Sequence, residues 1–391
     1  MRVEGDFIVI NKWLLPLSWL YGLGVKLRNF AFEAGILKSR AFDVPVISVG
    51  NITVGGTGKT PHVEYLTKLL RELFHVAVLS RGYKRKTRGF IIADKNTTMP
   101  EIGDEPFQMK QKYPDVIVAV DKNRCHGIDT LVENDKDIDV ILLDDAFQHR
   151  YVKPGINILL VDYHRLIIYD KLLPAGRLRE PLSGKNRADI VIVTKCPKGM
   201  KPMEYRVITK AMSLYPYQQL FFTSIDYGEL LPVFQKDKGT KVLQELKDYH
   251  ALLLTGIASP QQMTHDLKPL ISQLTPLSFS DHHVFSKKDV ELINSTFAAL
   301  PSPKLIITTE KDVTRLQLAE GLSDEVRQHL YVLPITVCFL QEQATVFNQQ
   351  IIDYVHKNSR NSILVKRKDE HKSQDCHHSG DRPRTISFRN Y

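Results

Sequence analysis

The sequence has few cysteines, and none of them is placed for a disulfide framework or a zinc ribbon. The chain of 391 residues contains only Cys125, Cys196, Cys338 and Cys376, and no two of them form a C-x-x-C pair. Disulfide-stapled domains and Cys-rich metal modules carry closely spaced cysteines. We therefore expect free thiols and a protein of a reducing compartment.

The sequence also lacks a long uninterrupted apolar run. The segment Trp13–Val25 (WLLPLSWLYGLGV) contains Pro16 and is too short to span a bilayer. Glu4 and Asp6 spoil the basic region with which a signal peptide begins. The segment is rich in Trp and Leu and is followed by Lys26. A helix lying on a membrane and a helix packed on the protein's own core both fit, because the apolar residues do not fall cleanly on one side.

A strong charge bias is absent from most of the chain. Of the net charge of +9, residues 357–391 contribute more than half, with nine Lys/Arg against four Asp/Glu. The charge is therefore weak evidence for nucleic acid, and an anionic membrane or anionic substrate explains it equally well. We expect no nucleic-acid partner and a monomeric protein. Residues 366–391 are polar and without periodicity, which predicts a disordered basic tail.

What the sequence does contain is a series of short apolar, β-branched segments separated by helical patterns. Such segments are typical of strands covered on both faces, and their alternation with helices favours a mostly parallel α/β sheet. The clearest candidates are Val44–Val49, Val76–Leu79, Val116–Val120, Val140–Leu143, Ile156–Val161 and Ile190–Val193, followed later by Leu252–Leu254, Leu305–Thr308 and Tyr331–Leu333.

These segments predict an α/β fold with a mostly parallel sheet and a second, smaller α/β domain. The predicted organisation is an N-terminal helix region at 1–43, a larger α/β domain at 44–220, a linker at 221–240, the smaller domain at 241–358 and the tail at 366–391.

A phosphate-binding loop follows the first predicted strand. Residues 46–60 read VISVGNITVGGTGKT, with a helical pattern from Pro61. Glycines let backbone N–H groups turn towards phosphate oxygens, and the helix N-terminus adds its positive end. The consensus places glycine where this chain has Thr53. Lys59 is predicted to reach the β- and γ-phosphates and Thr60 to hold Mg²⁺. The predicted nucleotide-binding residues are Thr53, Val54, Gly55, Gly56, Thr57, Gly58, Lys59 and Thr60.

Three further polar clusters suit phosphoryl transfer. Asp144 and Asp145 end an apolar strand, which is typical of a Mg²⁺-binding acid pair beside a phosphate loop. Asp104, in the turn Gly103–Pro106 (GDEP), is a candidate base for an acceptor hydroxyl, although an Asp in a turn commonly caps the backbone locally. His282 and His283 (FSDHH) are candidate partners for such an acid, and the sequence does not choose between them.

In order along the chain, these motifs resemble the tetraacyldisaccharide 4′-kinase family of lipid A biosynthesis. The matching strings are SVGNITVGGTGKTP, SRGYKR, GDEP, LLDDAFQHR, LPAGRLREP, TKCP, FSDHH and TEKD. The resemblance covers roughly residues 13 to 315. The resemblance implies transfer of phosphate from ATP, with Mg²⁺, to the 4′-hydroxyl of an acylated glucosamine disaccharide 1-phosphate. It implies a P-loop NTPase-like nucleotide-binding domain at 44–220, joined to the smaller domain by a hinge. It also implies a peripheral protein on the cytoplasmic face of the inner membrane, docked by a membrane-associated helix region at 1–43.

The resemblance further implies roles for individual residues. Asp104 matches the family's catalytic base and His282 its partner, with Lys59 as the third catalytic residue. Thr60, Asp144 and Glu180 match positions around the metal. The predicted substrate contacts are Arg81, Tyr83, Glu105, Arg124, Asp145, Gln148, His149 and Arg179. Where the family's acid pair is followed by glycine this chain has Ala146, which tests whether that position needs a positive φ.

Two alternative functions remain at this stage. The first is a GTPase or metallochaperone-type NTPase switch, in which TKCP (194–197) would correspond to the guanine-binding [NT]-K-x-D motif. The missing final acid counts against it. The second is a membrane adaptor built on a degenerate phosphate loop, which only Thr53 favours.

Overall fold

The computed structural model describes residue 8, residues 10–235, residue 237 and residues 239–359. The predicted tail at 366–391 lies outside the described residues. The helices are α1 (Leu15–Glu33), α2 (Lys59–Leu70), α3 (Met99–Ile102), α4 (Asp104–Lys112), α5 (Arg124–Asn134), α6 (Pro202–Met212), α7 (Gln261–Leu267), α8 (Lys287–Ala298), α9 (Glu310–Gln317), α10 (Asp324–His329) and α11 (Ala344–Asn358). The strands are β1 (Val46–Gly50), β2 (Val76–Ser80), β3 (Ile91–Ile92), β4 (Ile117–Val120), β5 (Val140–Asp144), β6 (Ile156–Asp162), β7 (Ile190–Thr194), β8 (Gln219–Tyr227), β9 (Leu231–Pro232), β10 (His250–Thr255), β11 (Gln273–Ser278), β12 (Lys304–Thr309), β13 (Leu330–Leu333) and β14 (Ile335–Phe339).

The larger sheet is mostly parallel. Within the described residues it has nine strands in the order β14–β8–β7–β6–β1–β5–β2–β4–β3. The seven strands from β8 to β4 are parallel, and the edge strands β14 and β3 are antiparallel to their neighbours. Helices α2, α4 and α11 pack on one face, and α5 and α6 pack on the other. Burial on both faces explains why the central strands read as apolar runs rather than as alternating patterns.

The smaller sheet repeats this architecture in the second half of the chain. Among the described residues its order is β11–β10–β12–β13–β9, with β9 antiparallel at the edge. Helix α7 covers one face, and α8, α9 and α10 cover the other. The predicted α/β fold class, with a large parallel sheet and a smaller second unit, is confirmed.

The structure corrects the predicted domain boundaries in two places. The segment predicted as a linker at 221–240 begins as strand β8, which pairs with β7 inside the larger sheet. The last segment, β14 and α11, was predicted in the smaller domain, yet β14 pairs with β8 and α11 buries Phe347, Ile351 and Val355 in the core of the larger sheet. The chain therefore crosses between the sheets twice, and the crossings lie side by side because the Gly228 N–H donates to the Pro334 carbonyl at 3.0 Å.

Helix α1 lies against the loops of the larger unit. The Ser18 hydroxyl donates to the Leu172 carbonyl at 3.0 Å, and the Tyr21 hydroxyl donates to the Arg179 carbonyl at 2.8 Å. Ser18 and Gly22 are buried beside Leu172, and Phe32 is buried next to Tyr151 and Arg150. Large apolar side chains on the rest of the helix surface are exposed, namely Trp13 just before it and Leu17, Trp19, Leu20, Leu23, Leu27 and Phe30 within it.

This two-sided packing explains why the sequence of α1 shows no clean amphipathic pattern. One apolar face contacts the protein and another faces outward, so apolar residues surround the helix. No helix in the part of the chain that the structure describes is long and apolar enough to cross a membrane.

Candidate active site

The loop from Asn51 to Gly58 joins the buried end of β1 to the first turn of α2. Gly58 precedes the helix with φ 80°, and Gly55 has φ 118°. Both values lie where glycine is favoured over residues with a Cβ atom. Lys59 and Thr60 are the first two residues of α2. Glycine-rich backbone and a helix N-terminus therefore meet at one point, which is the arrangement that binds phosphate groups.

Thr53 occupies the place of a consensus glycine without strain. It forms an antiparallel bridge with Leu178. Two backbone hydrogen bonds of 2.8 Å tie residues 52–54 to residues 177–179 on either side of this bridge. Any L-residue can adopt the extended backbone of such a bridge. The departure from the consensus therefore leaves the glycine-dependent part of the loop, from Gly55 to Gly58, intact.

Residues at the end of strand β7 form hydrogen bonds to backbone carbonyl groups of the phosphate loop. The Thr194 hydroxyl donates to the Thr57 carbonyl at 3.0 Å. The Lys195 ammonium donates to the Gly56 carbonyl and also pairs with Asp162 at 2.7 Å. These residues belong to the TKCP string, for which the sequence suggested guanine recognition only under the GTPase alternative. In the structure they position carbonyl groups of the phosphate loop.

His62 also contacts the loop, although it was not among the predicted site residues. Its Nδ1 lies 2.7 Å from the Gly58 carbonyl oxygen and its Nε2 lies 3.0 Å from the Thr223 hydroxyl. Burial lowers the pKa of His62 to about 4, so the ring is neutral at physiological pH. A neutral ring that donates from Nδ1 and accepts at Nε2 satisfies both contacts. The available signal was its position four residues after Gly58 on the predicted helix.

Asp144 and Asp145 lie at the end of β5, directly beside β1. Asp144 is buried, and burial together with the neighbouring charges of Glu105 and Asp145 raises its pKa to about 7. The Lys59 ammonium opposes this shift and lies 3.7 Å from Asp145 Oδ1. The predicted acid pair and the phosphate-loop lysine are therefore brought together.

The residues at this point fit a bound Mg²⁺. Asp144 Oδ1 is buried and has no hydrogen-bond partner among the residues that the structure describes. A buried carboxylate oxygen without a donor is costly, and a hard cation that prefers oxygen ligands would satisfy it. The Thr60 hydroxyl stands at the start of α2 and donates to Glu105 Oε1 at 3.2 Å. Thr60 and Asp144 are the residues that would hold the cation with the nucleotide phosphates.

Glu180, the third predicted metal ligand, has a different partner. Its Oε2 lies 2.9 Å from Arg187 Nη1, and the side chain is almost fully buried. Across the described ranges, no three His, Cys, Asp or Glu side chains form a group that could hold a metal ion by themselves. Arg187 is an ion-pair partner of Glu180, yet among the described residues neither Glu180 oxygen has a hydrogen bond, so its place beside the metal stays a prediction.

Asp104 and His282 contact each other across the cleft between the two sheets. His282 Nδ1 lies 2.8 Å from Asp104 Oδ2, and His282 has φ 57°. His283 instead pairs with Asp289 through Nε2 at 3.0 Å. The ambiguity that the sequence left open is thereby resolved in geometry, since only His282 of the two contacts Asp104.

The Asp104 carboxylate is stabilised in its ionised form. Burial acts to raise its pKa, but the hydrogen bond from His282 and the charge of Arg315 outweigh burial and hold the pKa below its usual value. Arg315 donates to Asp104 Oδ2 from Nε at 3.1 Å and from Nη2 at 2.7 Å. Arg315 lies outside the sequence motifs, three residues after the TEKD string.

Glu105 links the metal-binding edge to the smaller sheet. Its Oε1 accepts from the Thr60 hydroxyl and from Lys311 Nζ, the latter at 2.6 Å. Burial acts to raise the pKa of Glu105, but the charge and hydrogen bond of Lys311, together with the charges of Lys59 and His282, outweigh burial and lower the pKa. Lys311 lies in the TEKD string, whose role the sequence left open.

Comparison with known proteins agrees with this geometry. The sequence matches the profile of the tetraacyldisaccharide-1-P 4′-kinase family over residues 10–356. The chain belongs to the tetraacyldisaccharide-1-P 4′-kinase family. The resemblance inferred from the motifs is confirmed.

Individual relatives of the family match over almost their whole length. A tetraacyldisaccharide 4′-kinase of Phocaeicola vulgatus is 59% identical over 363 residues, which cover 92% of this chain and 99% of the relative. One of Bacteroides thetaiotaomicron is 54% identical over 380 residues, covering 95% and 100%. A crystal structure of LpxK from Aquifex aeolicus in complex with ATP superposes with a TM-score of 0.66 at 30% identity, covering 88% of this chain and 98% of that one.

The departure of this kinase from the family's D-D-G pattern is structurally neutral. Asp145, not Ala146, takes the left-handed conformation, with φ 48°. Ala146 is buried in the core that includes Leu143 and Val152. The position therefore does not require glycine for its backbone conformation.

The predicted substrate residues of the kinase fall into two groups. Four of them lie around the acid pair, namely Arg124, Gln148, His149 and Arg179. The backbone N–H of Arg124 donates to His149 Nε2 at 3.2 Å. Arg179 Nη1 lies 3.4 Å from Gln148 Oε1 and 3.8 Å from Asp145 Oδ2. Burial and nearby arginines lower the pKa of His149 to about 4.

Tyr83 and Arg81 follow strand β2. The Tyr83 ring is exposed and lies 5.4 Å from the His282 ring. Arg81 is exposed at the end of β2. The charge of Arg81 acts on Arg124 and His149, whereas Tyr83 borders the Asp104–His282 pair. Substrate contacts by these residues stay a prediction.

Proposed function

We propose that this kinase transfers the γ-phosphate of ATP to the 4′-hydroxyl of a tetraacyldisaccharide 1-phosphate. The observation that carries the proposal is the convergence of three features: a phosphate loop, the Asp104–His282 pair, and buried Asp144, whose Oδ1 has no hydrogen-bond partner within the described part of the chain. Family membership supports the same acceptor. It does not favour a nucleotide-hydrolysing switch, and the TKCP residues support the phosphate loop instead of resembling a guanine site.

The nucleotide base has a suitable cleft next to the phosphate loop. A cavity of about 170 Å³ begins at Gly56–Thr60 and extends between the two sheets. Its apolar lining comes from both units, namely Ile225, Tyr227, Ile257, Met263, Leu333 and Ile335. Such a slot suits a flat purine whose phosphates lie on the loop.

In the proposed reaction the acceptor oxygen attacks the γ-phosphorus in line with the bond to the β-phosphate oxygen. The new O–P bond forms as that bond breaks, and ADP leaves. Asp104 accepts the proton of the sugar hydroxyl, and His282 orients it. Lys59 offsets negative charge on the transferred group. Mg²⁺, when held by Thr60 and Asp144, would supply further neutralisation of the phosphate charge.

The two adjacent chain crossings at Gly228 and Pro334 support the predicted hinge. Closing the sheets on the nucleotide would exclude water and limit idle hydrolysis of ATP. Glu105 and Asp104 of the larger unit already contact Lys311 and His282 of the smaller one.

The direct test is transfer of labelled γ-phosphate from ATP to tetraacyldisaccharide 1-phosphate in detergent micelles. We expect labelled lipid that depends on acceptor and on Mg²⁺. Release of labelled inorganic phosphate without labelled lipid, above all from GTP, would overturn the acceptor assignment and favour the NTPase alternative.

Placing a charge in the cleft should weaken ATP binding. Ile257 lines the cleft and is partly buried. We expect Ile257→Glu to raise the KM for ATP by about 10-fold or more. Binding of the adenine base would strip water from the introduced carboxylate, and this loss of hydration is unfavourable. The kcat at saturating ATP should change much less, since this contact serves the ground and transition states alike.

The matched control for this variant is Leu318→Glu, because Leu318 is exposed outside the cleft. Initial rates over a range of ATP concentrations measure both variants. An unchanged KM for ATP in Ile257→Glu would show that the adenine base does not bind in this cleft.

We also propose that the outward face of α1 docks on the cytoplasmic surface of the inner membrane. Its exposed Trp and Leu side chains suit the boundary between headgroups and acyl chains, and Lys26 adds positive charge. Docking would bring the active site to an acceptor whose acyl chains remain in the bilayer.

Removing two leucines from this face should weaken membrane binding. Leu20 and Leu23 are 68% and 65% exposed, and Leu73 and Leu318, elsewhere on the surface, are 61% and 66% exposed. We expect Leu20→Ser/Leu23→Ser to lower binding to mixed zwitterionic and anionic phospholipid vesicles by about 10-fold or more. The control Leu73→Ser/Leu318→Ser should bind like the wild type in the same flotation assay. Equal binding by both double variants would contradict docking through α1.

A further inference from the structure

We propose that Arg315 is a positioning residue that holds one oxygen of Asp104 and leaves the other for the acceptor hydroxyl. This inference rests on the proposed function, in which Asp104 accepts the hydroxyl proton. Arg315 donates to Asp104 Oδ2 from both Nε and Nη2, at 3.1 and 2.7 Å. His282 Nδ1 approaches the same oxygen at 2.8 Å.

Three nitrogen atoms therefore converge on a single carboxylate oxygen. Within the described residues, no hydrogen bond to Asp104 Oδ1 accompanies these contacts. An Asp carboxyl otherwise rotates in a broad well, so either oxygen could face the acceptor. Fixing Oδ2 in this way selects Oδ1 as the oxygen that receives the proton. The entropy lost in orienting the Asp104 carboxylate is then lost on folding, before the substrate binds.

Arg315 is itself held rigidly enough to do this. Its side chain is only 4% exposed, and its Nη1 pairs with Asp312 Oδ1 at 3.1 Å. Asp312 is fully buried and accepts from the Gly256 N–H at 2.8 Å and from the Thr309 hydroxyl at 2.6 Å. The guanidinium is thus fixed by one carboxylate while it fixes another.

Gly256 is required by this arrangement. A Cβ atom built at this position would lie 2.8 Å from Asp312 Oδ1 and 3.6 Å from Arg315 Nη1. Real Cβ atoms do not approach an oxygen so closely, so a larger residue would displace Asp312. Displacement of Asp312 would release Arg315 from its position over Asp104.

The contacts also couple the base to the meeting of the two units. Asp104 begins α4 beside the larger sheet, whereas Arg315 lies in α9 beside the smaller one. The pairs Glu105–Lys311 at 2.6 Å and Lys112–Glu310 at 2.9 Å join the same two helices. The oriented base is therefore complete only where α4 and α9 are in contact.

The test measures kcat and the KM for ATP separately in Arg315→Gln. We expect kcat to fall by about 10²-fold, the scale of a misplaced catalytic group, with the KM for ATP unchanged within about twofold. Arg327→Gln is the matched control, because Arg327 is an arginine of the same unit that contacts Leu322 and Phe234 instead. It should retain wild-type kcat. A wild-type kcat in Arg315→Gln would overturn the proposal.

A double variant separates positioning from a general structural role. In the Asp104→Asn background, Arg315→Gln should lower kcat by less than about twofold, because the two residues act as one unit. If Arg315→Gln lowered kcat as much in the Asp104→Asn background as in the wild type, the positioning role would be overturned. An Asp104→Asn enzyme with normal kcat would instead refute the proposed base.

Thermal unfolding shows whether each variant is folded. If Arg315→Gln does not fold, Arg315→Lys and Gly256→Ala provide the same comparison. Lysine keeps the charge without the planar fork, so kcat should fall while the fold persists. Gly256→Ala should lower kcat in the wild-type background and not in Asp104→Asn. Normal kcat in both variants would overturn the proposal.

Discussion

Replacing Lys59 with alanine is expected to lower kcat by about 10³-fold or more, the scale seen when a charged group that stabilises the transferred phosphoryl is removed. Lys59 begins α2 directly after Gly58, and its side chain is mostly buried beside the acid pair. Its ammonium lies 3.7 Å from Asp145 Oδ1 and offsets the raised pKa of Asp144. The substitution therefore removes positive charge from the nucleotide phosphates and from both acids at once.

Lys68→Ala is the matched control, because Lys68 lies on the exposed side of the same helix. Transfer of labelled phosphate to the lipid acceptor measures both variants, and thermal unfolding confirms that each is folded. Turnover within a few-fold of the wild type in Lys59→Ala would show that the loop does not act on the reacting phosphate. It would leave only a nucleotide-binding role, as in the adaptor alternative.

The phosphate loop and the strands of the larger sheet could be predicted because their determinants are local. Glycines at Gly55 and Gly58 permit the positive φ values of the loop, and the following Lys-Thr begins a helix. The central strands are buried on both faces, which makes them visible as apolar runs. The acid pair lies next to the loop because β5 neighbours β1 in the sheet.

The domain boundary could not be predicted, because it depends on contacts between distant parts of the chain. β14 and α11 follow the smaller sheet in sequence, yet they complete the larger one. Nothing in the composition of β14 distinguishes an antiparallel return to β8 from another strand of the second sheet. The pairing from Ile335–Tyr227 to Phe339–Thr223 is visible only in three dimensions.

The same limit applies to the charged residues of the site. Asp104 and Arg315 are 211 positions apart, and no local pattern joins them. Glu180 matches an acidic position of the family and pairs with Arg187, but no local pattern shows whether it also approaches the metal site. The family resemblance selected His282, and the structure adds the physical reason, since His283 is already paired with Asp289.

Asp104→Asn is expected to lower kcat by about 10²-fold or more, the scale of losing a general base, while ATP binding is largely retained. Asparagine keeps the shape of the side chain and an oxygen that accepts from Arg315 and His282, so the fold should persist. It cannot take up a proton from the acceptor hydroxyl. Single-turnover transfer of labelled phosphate measures the chemical step, and a fluorescent nucleotide measures ATP binding.

The low pKa of Asp104 determines how this residue should respond to pH and to its neighbours. Burial acts to raise the pKa, but the hydrogen bond from His282 and the charge of Arg315 outweigh burial. The carboxylate is therefore ionised throughout the neutral range, and its basic form is lost only as the pH falls through the lowered pKa. Removing the His282 hydrogen bond with His282→Ala should raise that pKa and move the acid limb of the kcat profile to higher pH.

The control for Asp104→Asn is Asp115→Asn, because Asp115 is an exposed acid paired with Arg71. It should retain wild-type kcat and an unchanged pH profile. If Asp104→Asn also kept wild-type turnover, the proton would have to leave by another route. His282 would then be the group to examine, since it lies 2.8 Å from the same carboxylate and beside the exposed ring of Tyr83.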